Sequence, residues 1–119
     1  MTEDQREIGV AIVGAGAMAR AHSAALSVLG RFYPQLALRP RLVAVADANA
    51  ALASDLATRF GWSRVSSEWQ DVVRADDVDL VIACLPPILN RDVILGAAAA
   101  AKAIVSEKPL SASATPYSL

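Results

Sequence analysis

Five short apolar runs, most of them rich in β-branched residues, punctuate the chain. They are Ile8–Val13, "RLVAVAD" (41–47), a brief stretch around Val65, "DLVIACL" (79–85) and "AIVS" (103–106). The runs are continuous rather than alternating, so each strand must be covered on both faces. Helix-favouring segments separate them, and strands that alternate with helices form a parallel sheet packed between two helical layers. The pattern predicts a doubly wound α/β domain, Rossmann-like, with strand order 3-2-1-4-5.

The helical segments carry their own start and stop signals. Residues from about Ala17 to Leu29 are dominated by alanine, methionine and leucine, which favour helix. "GRFYPQLALRP" then interrupts with Gly30, Pro34 and Pro40 and is expected to be a loop or irregular insertion. Asn49 is the expected N-cap of a helix running to about Phe60, with Gly61 at its C-terminal end. Ser67 and Gln70 have capping-box spacing and predict a short helix through "EWQDVVR". Pro86-Pro87 ends the fourth strand, and Asn90 is expected to cap the helix that continues through "AAAAAK".

At 119 residues the chain is one domain's worth, taken here as residues 1–119. Its 55% hydrophobic and 19% charged composition fits a packed core and argues against disorder. A formal net charge of −1 gives no electrostatic reason to expect nucleic acid or an anionic membrane as partner. The single cysteine, Cys84, cannot pair within the chain, and "MTEDQRE" is unlike the basic start of a signal peptide. A cytoplasmic setting is therefore expected, with no membrane span and no metal site, since one histidine and one cysteine do not make a ligand set.

The first strand ends in "VGAGAMAR". Gly14, Gly16 and Ala19 are the G-x-G-x-x-A form of the dinucleotide fingerprint, in the strand-to-helix position it requires. Gly14 would permit the tight turn, Gly16 the approach of a diphosphate to the backbone, and Ala19 close helix–sheet packing. Amides at the helix start, around Ala17 and Met18, would face the phosphates with the helix dipole behind them. A tight turn with no ligand is the plainer reading of the same residues.

An acidic residue at the end of the second strand is the fingerprint's second element. Asp47 stands there, its distance from the glycine turn lengthened by the 30–40 insertion. Its carboxylate would accept hydrogen bonds from the adenosine ribose and repel a 2′-phosphate. No arginine follows in "DANAAL", so NAD is expected over NADP. The alternative is that Asp47 merely caps the next helix. The fifth strand delivers Glu107-Lys108-Pro109 to the carboxyl edge of the sheet, where such folds bind ligands. Lys108 is suited to exchange a proton or to polarise an oxygen, although a solvated ion pair is the commoner fate of a Glu-Lys pair.

Taken in order, "GVAIVGAGAMARAH", "VAVAD", "DLVIACLPP" and "VSEKPL" resemble the N-terminal domain of the Gfo/Idh/MocA oxidoreductases, over nearly the whole chain. The resemblance implies hydride transfer between a sugar or polyol hydroxyl and NAD. It implies that Gly14, Gly16 and Ala19 hold the diphosphate and Asp47 the adenosine ribose. Leu85, Pro86 and Pro87 would line the nicotinamide side, Glu107 would approach the nicotinamide ribose, and Lys108 would be the active-site lysine. Family enzymes are much longer, with a C-terminal domain that supplies the substrate pocket. The chain is accordingly expected to be the nucleotide half, with that domain absent and catalysis incomplete by itself. A non-catalytic dinucleotide-binding fragment or subunit that needs a partner is the alternative. Apolar surface left uncovered by that absence would favour self-association. His22, Cys84, Trp62 and Trp69 are expected to serve packing rather than chemistry.

Overall fold

The computed structural model describes residues 6–106. The elements run β1 (Arg6–Val13), α1 (Ala17–Phe32), β2 (Leu38–Ala46), α2 (Ala50–Phe60), β3 (Arg64–Ser66), α3 (Trp69–Arg74), β4 (Leu80–Ala83), α4 (Pro87–Ala99) and β5 (Ala103–Ser106). All five strands are parallel and lie in the order β3-β2-β1-β4-β5, as the alternating pattern predicts. Strand order reverses between β1 and β4, which opens a crevice beyond their carboxyl ends.

Why the strands read as unbroken apolar runs is visible in the packing. Val10 and Ile12 of β1, with Val45 and Ile82, pack under Ala15, Ala19, Ala53 and Leu56 on the side of α1 and α2. Ala11 and Val13, with Ala44, Val81 and Ala83, pack under Val72, Val73, Val93 and Ala97 on the side of α3 and α4. Successive side chains serve opposite layers, so no position along the strand is free to be polar. Trp62 is buried in the first of these layers and donates its indole N–H to the Ser23 hydroxyl at 3.1 Å.

The expected loop at 30–40 is shorter than its glycine and prolines suggest. Helix α1 continues through Gly30 to Phe32, and β2 begins at Leu38, so that Pro40 pairs opposite Ile8. Proline is tolerated there because β3 meets β2 only at Ala44–Ala46, which leaves this end of β2 with a single neighbour. The register slips by one residue between Val10 and Ala11, with Val43 taken up as a bulge. Phe32, Tyr33, Leu36 and Leu38 are exposed around this corner. An almost wholly apolar hollow of about 400 Å³ opens there between Leu26, Leu36, Pro40 and Leu80.

Helix α2 obeys its signals: Asn49 Oδ1 accepts from the Leu52 amide at 3.1 Å, and Gly61 closes the helix in the left-handed region at φ 82°. Two other cap assignments need correction. Helix α3 starts after Glu68, and Ser66, not Ser67, accepts the Glu68 amide at 3.0 Å through its hydroxyl. The Gln70 side-chain oxygen is buried without a hydrogen-bond partner among the described residues, so the capping box does not form. Helix α4 starts at Pro87 with Pro86 as its cap residue, which places Asn90 inside the helix. Proline fills a first helical position well because the missing amide has no acceptor there.

Away from the crevice, Arg64 grips Asp77 with two hydrogen bonds of 2.7 and 2.8 Å. That fork, and the charge behind it, lowers the Asp77 pKa to about 2 from its ordinary 3.8. A depressed carboxyl stabilises the fold above its unfolded pKa, and the contribution disappears as pH falls through the folded one. The pair is partly exposed, which limits its worth to no more than about 1 kcal/mol. Urea unfolding at pH 5 and pH 2.5 should therefore show a loss in the wild type that Asp77→Asn largely lacks. An equal loss in both proteins would remove this pair from the acid response.

Candidate functional site

The turn after β1 is built around one glycine that no other residue can replace. Gly14 has φ 100°, and an added Cβ would lie 2.7 Å from the Cys84 carbonyl oxygen and 2.8 Å from its carbon. The β1–α1 turn and the exit of β4 are thus packed backbone against backbone. Gly14 N–H donates to the Ala46 carbonyl at 2.7 Å, and Cys84 N–H to the Val13 carbonyl at 2.8 Å, which ties the three central strands together where the crevice opens.

Two residues on, the surroundings are the reverse. Gly16 is the cap residue of α1, with φ −86° and ψ −156°, and beyond its chain neighbours an added Cβ would meet no atom of the described residues within 4 Å. No side chain caps the helix, and its first turn holds no acidic residue. The first intrahelical bond runs from Arg20 N–H to the Gly16 carbonyl at 3.1 Å. The amides of Ala17, Met18 and Ala19 precede that bond and have no acceptor inside the helix. Ala19 is fully buried, which holds the helix start against the sheet, whereas Met18 is exposed. The result is an open backbone surface at the positive end of a 16-residue helix.

Asp47 connects the two neighbouring turns. Its Oδ2 accepts the Ala15 amide at 2.8 Å and its Oδ1 accepts the Asn49 amide at 2.7 Å. The carboxylate therefore bridges the glycine turn to the start of α2, while Asn49 does the capping. Each oxygen keeps a further lone pair, enough to accept from a vicinal diol. Beside Asp47 lies a cleft of about 290 Å³ lined by Val13, Ala48, Trp69, Leu85, Leu89 and Asp92 among others. Among the described residues, its only charged lining groups are the two aspartates.

Of the residues picked out from the sequence, Gly14, Gly16, Ala17, Met18, Ala19, Asp47, Leu85 and Pro86 come together along the carboxyl edge of β1, β2 and β4. The Leu85 side chain lines the cleft beside Asp47, and Pro86 is exposed at the cap of α4. Glu107 and Lys108 lie outside the described residues. Strand β5 ends at Ser106, paired with Ala83 at the same edge. His22 and Cys84 are half-buried. Ser67, expected only as a cap, lines the cleft, and so do Leu89 and Asp92, which no sequence signal marked. Leu89 and Asp92, three apart on α4, share a helix face, a signal that becomes usable only once the helix start is placed at Pro87.

Trp69 has two duties: it lines the cleft, and it packs so tightly on α4 that a Cβ on Gly96 would lie 2.7 Å from its ring. Among the described residues, no group of three or more His, Cys, Asp or Glu side chains is placed to hold a metal ion. No helix among them is long and apolar enough to cross a membrane.

Comparison with known proteins bears on this geometry. The family model described as "Oxidoreductase family, NAD-binding Rossmann fold", of the Gfo/Idh/MocA group, matches residues 8–117. Levoglucosan dehydrogenase from Pseudarthrobacter phenanthrenivorans is 36% identical over 106 residues, covering 88% of this chain and 27% of the relative. Inositol 2-dehydrogenase from Acidothermus cellulolyticus is 31% identical, covering 92% of this chain and 30% of the relative. A levoglucosan dehydrogenase structure in complex with NADH superposes with a TM-score of 0.85 at 32% identity, over 89% of this chain and 29% of that one. The chain thus spans less than a third of the length of these relatives.

Proposed function

The chain belongs to the Gfo/Idh/MocA oxidoreductases, as their NAD-binding Rossmann domain, and from that premise we propose how its residues hold the dinucleotide and what reaction they serve. Gly14 shapes the turn, and the amides following Gly16 receive the diphosphate. Asp47 accepts the adenosine ribose diol, with Leu85 and Pro86 at the cleft wall. The observation that carries this reading is the pairing of an amide-bearing helix start that has free space around Gly16 with a carboxylate already anchored to the same turn. A diphosphate needs the first, a ribose the second, and the two stand side by side.

The nicotinamide, when bound, supplies the hydride chemistry. Its substrate is a sugar or polyol hydroxyl, the reading favoured by relatives named for levoglucosan and inositol. Glu107 is assigned to the nicotinamide ribose and Lys108 to the hydroxyl proton. Both roles follow from the family motif at these positions. Hydride transfer belongs to the whole protein, and this stretch contributes its nucleotide half. The exposed Phe32, Tyr33 and Leu38 favour burial against another surface, a second copy of the chain included.

Titration of the purified chain with NADH, followed by nicotinamide fluorescence, tests the reading. Saturable binding below about 1 mM is expected. Absence of binding over that range overturns it.

A further inference from the structure

Asn90 is a polar side chain where the fold gives no general reason for one. It is 2% exposed, three residues into α4, on a helix that neither needs it as a cap nor gains from its weak helix propensity. Its bonds explain its presence. Oδ1 accepts the Leu85 amide at 2.9 Å, and Nδ2 makes a longer, 3.5 Å contact to the Ala83 carbonyl. Donor and acceptor differ at the two ends, so the orientation of the amide is settled by its partners.

The Leu85 N–H belongs to the same planar peptide unit as the Cys84 carbonyl. That carbonyl is the group on which Gly14 packs, with no room for a Cβ between them. One side of a single rigid plate therefore supports the glycine turn, and the other side is gripped by Asn90. Rotation of the plate would push the Cys84 oxygen into or away from Gly14, and would swing Leu85, whose side chain lines the cleft beside Asp47. Among the described residues, Asn90 is the partner of that amide: α4 begins two residues later, and its first bonds, from Leu89 and Asn90, go to the Pro86 carbonyl.

We propose that Asn90 is a positioning residue for the dinucleotide: through the Cys84–Leu85 peptide it sets the glycine turn and the Leu85 wall at the spacing the ligand requires. This rests on the dinucleotide reading above. Asn90 touches no ligand itself and acts through the backbone it orients. Its loss should therefore be felt as affinity in a protein that remains folded.

The test compares three forms of the full chain by NADH titration and thermal unfolding. In Asn90→Ala, the NADH dissociation constant should rise about tenfold, equivalent to about 1.4 kcal/mol. Val93→Ala is the control, because Val93 is fully buried on the same helix within the core and lines no part of the cleft. It should lower the melting temperature yet leave the dissociation constant within about twofold. If Asn90→Ala binds NADH as tightly as the wild type, or if both variants weaken binding equally, Asn90 is ordinary packing and the proposal is overturned. If the wild type itself fails to bind, the dinucleotide reading falls first and takes this one with it.

Discussion

Gly16→Val should leave the domain folded within about 1 kcal/mol of the wild type and weaken NADH binding by about 100-fold. The two halves of that expectation have separate causes. The backbone at Gly16 lies in a region that any residue adopts, and beyond its chain neighbours no atom of the described residues stands within 4 Å of an added Cβ. The substitution therefore meets no clash, and the small loss at the helix cap is offset by a stiffer unfolded chain. The open space is nevertheless where a diphosphate must approach the amides after Gly16. Hydrogen bonds to a charged group contribute about 1.5–3 kcal/mol each, so displacing one or two of them accounts for the loss. Urea unfolding and NADH titration on the same preparation decide. Wild-type affinity in the variant would separate the phosphate from this turn.

The neighbouring glycine gives the contrast that makes the result interpretable. Alanine at Gly14 would meet the Cys84 carbonyl at 2.7 Å with a left-handed φ of 100°, so stability and binding should fall together. The strained backbone and the overpacking cost about 1–3 kcal/mol each. Two glycines in one motif thus do different work: one is demanded by the protein's own backbone, the other by the ligand.

That distinction marks how far the sequence could be read. Strand order and the two-sided burial of each strand follow from uninterrupted apolar runs such as Ile8–Val13, because burial leaves a periodic trace. Asn49 and Gly61 were placed correctly because cap chemistry is local. Pro40 misled, because the rule against proline in strands depends on whether a second neighbour is present, a tertiary fact. Asn90 misled in the same way: an asparagine after a proline pair has the look of a cap, and only the position of Leu85 across the turn shows what it bonds. The roles of Ser67, Trp69 and Asp92 in the cleft depend on how α3 and α4 pack, which no spacing rule records. Site residues on one turn were readable, and those brought in from other elements were not.

Asp47→Asn should narrow the preference for NAD over NADP by about 30-fold, chiefly by tightening NADP. The carboxylate stands where the adenosine ribose is proposed to bind, and a 2′-phosphate on that ribose would bring up to two negative charges beside it. Two unit charges 4 Å apart repel by about 4 kcal/mol in a partly solvated site, and exposure of the cleft reduces this to about half. Removing one charge recovers that repulsion for NADP alone. NAD should weaken as well, because Asp47 holds both the Ala15 and the Asn49 amides. These amides lie on different oxygens, so an asparagine would face one of them with its NH2 group, which cannot accept. The preference should narrow without inverting, since Asp92 lines the same cleft and, among the described residues, no lysine or arginine does. Dissociation constants for the two cofactors, measured on wild type and variant, give the ratio directly. An unchanged ratio would mean that Asp47 serves only to tie the turn to α2, and that cofactor choice is made elsewhere.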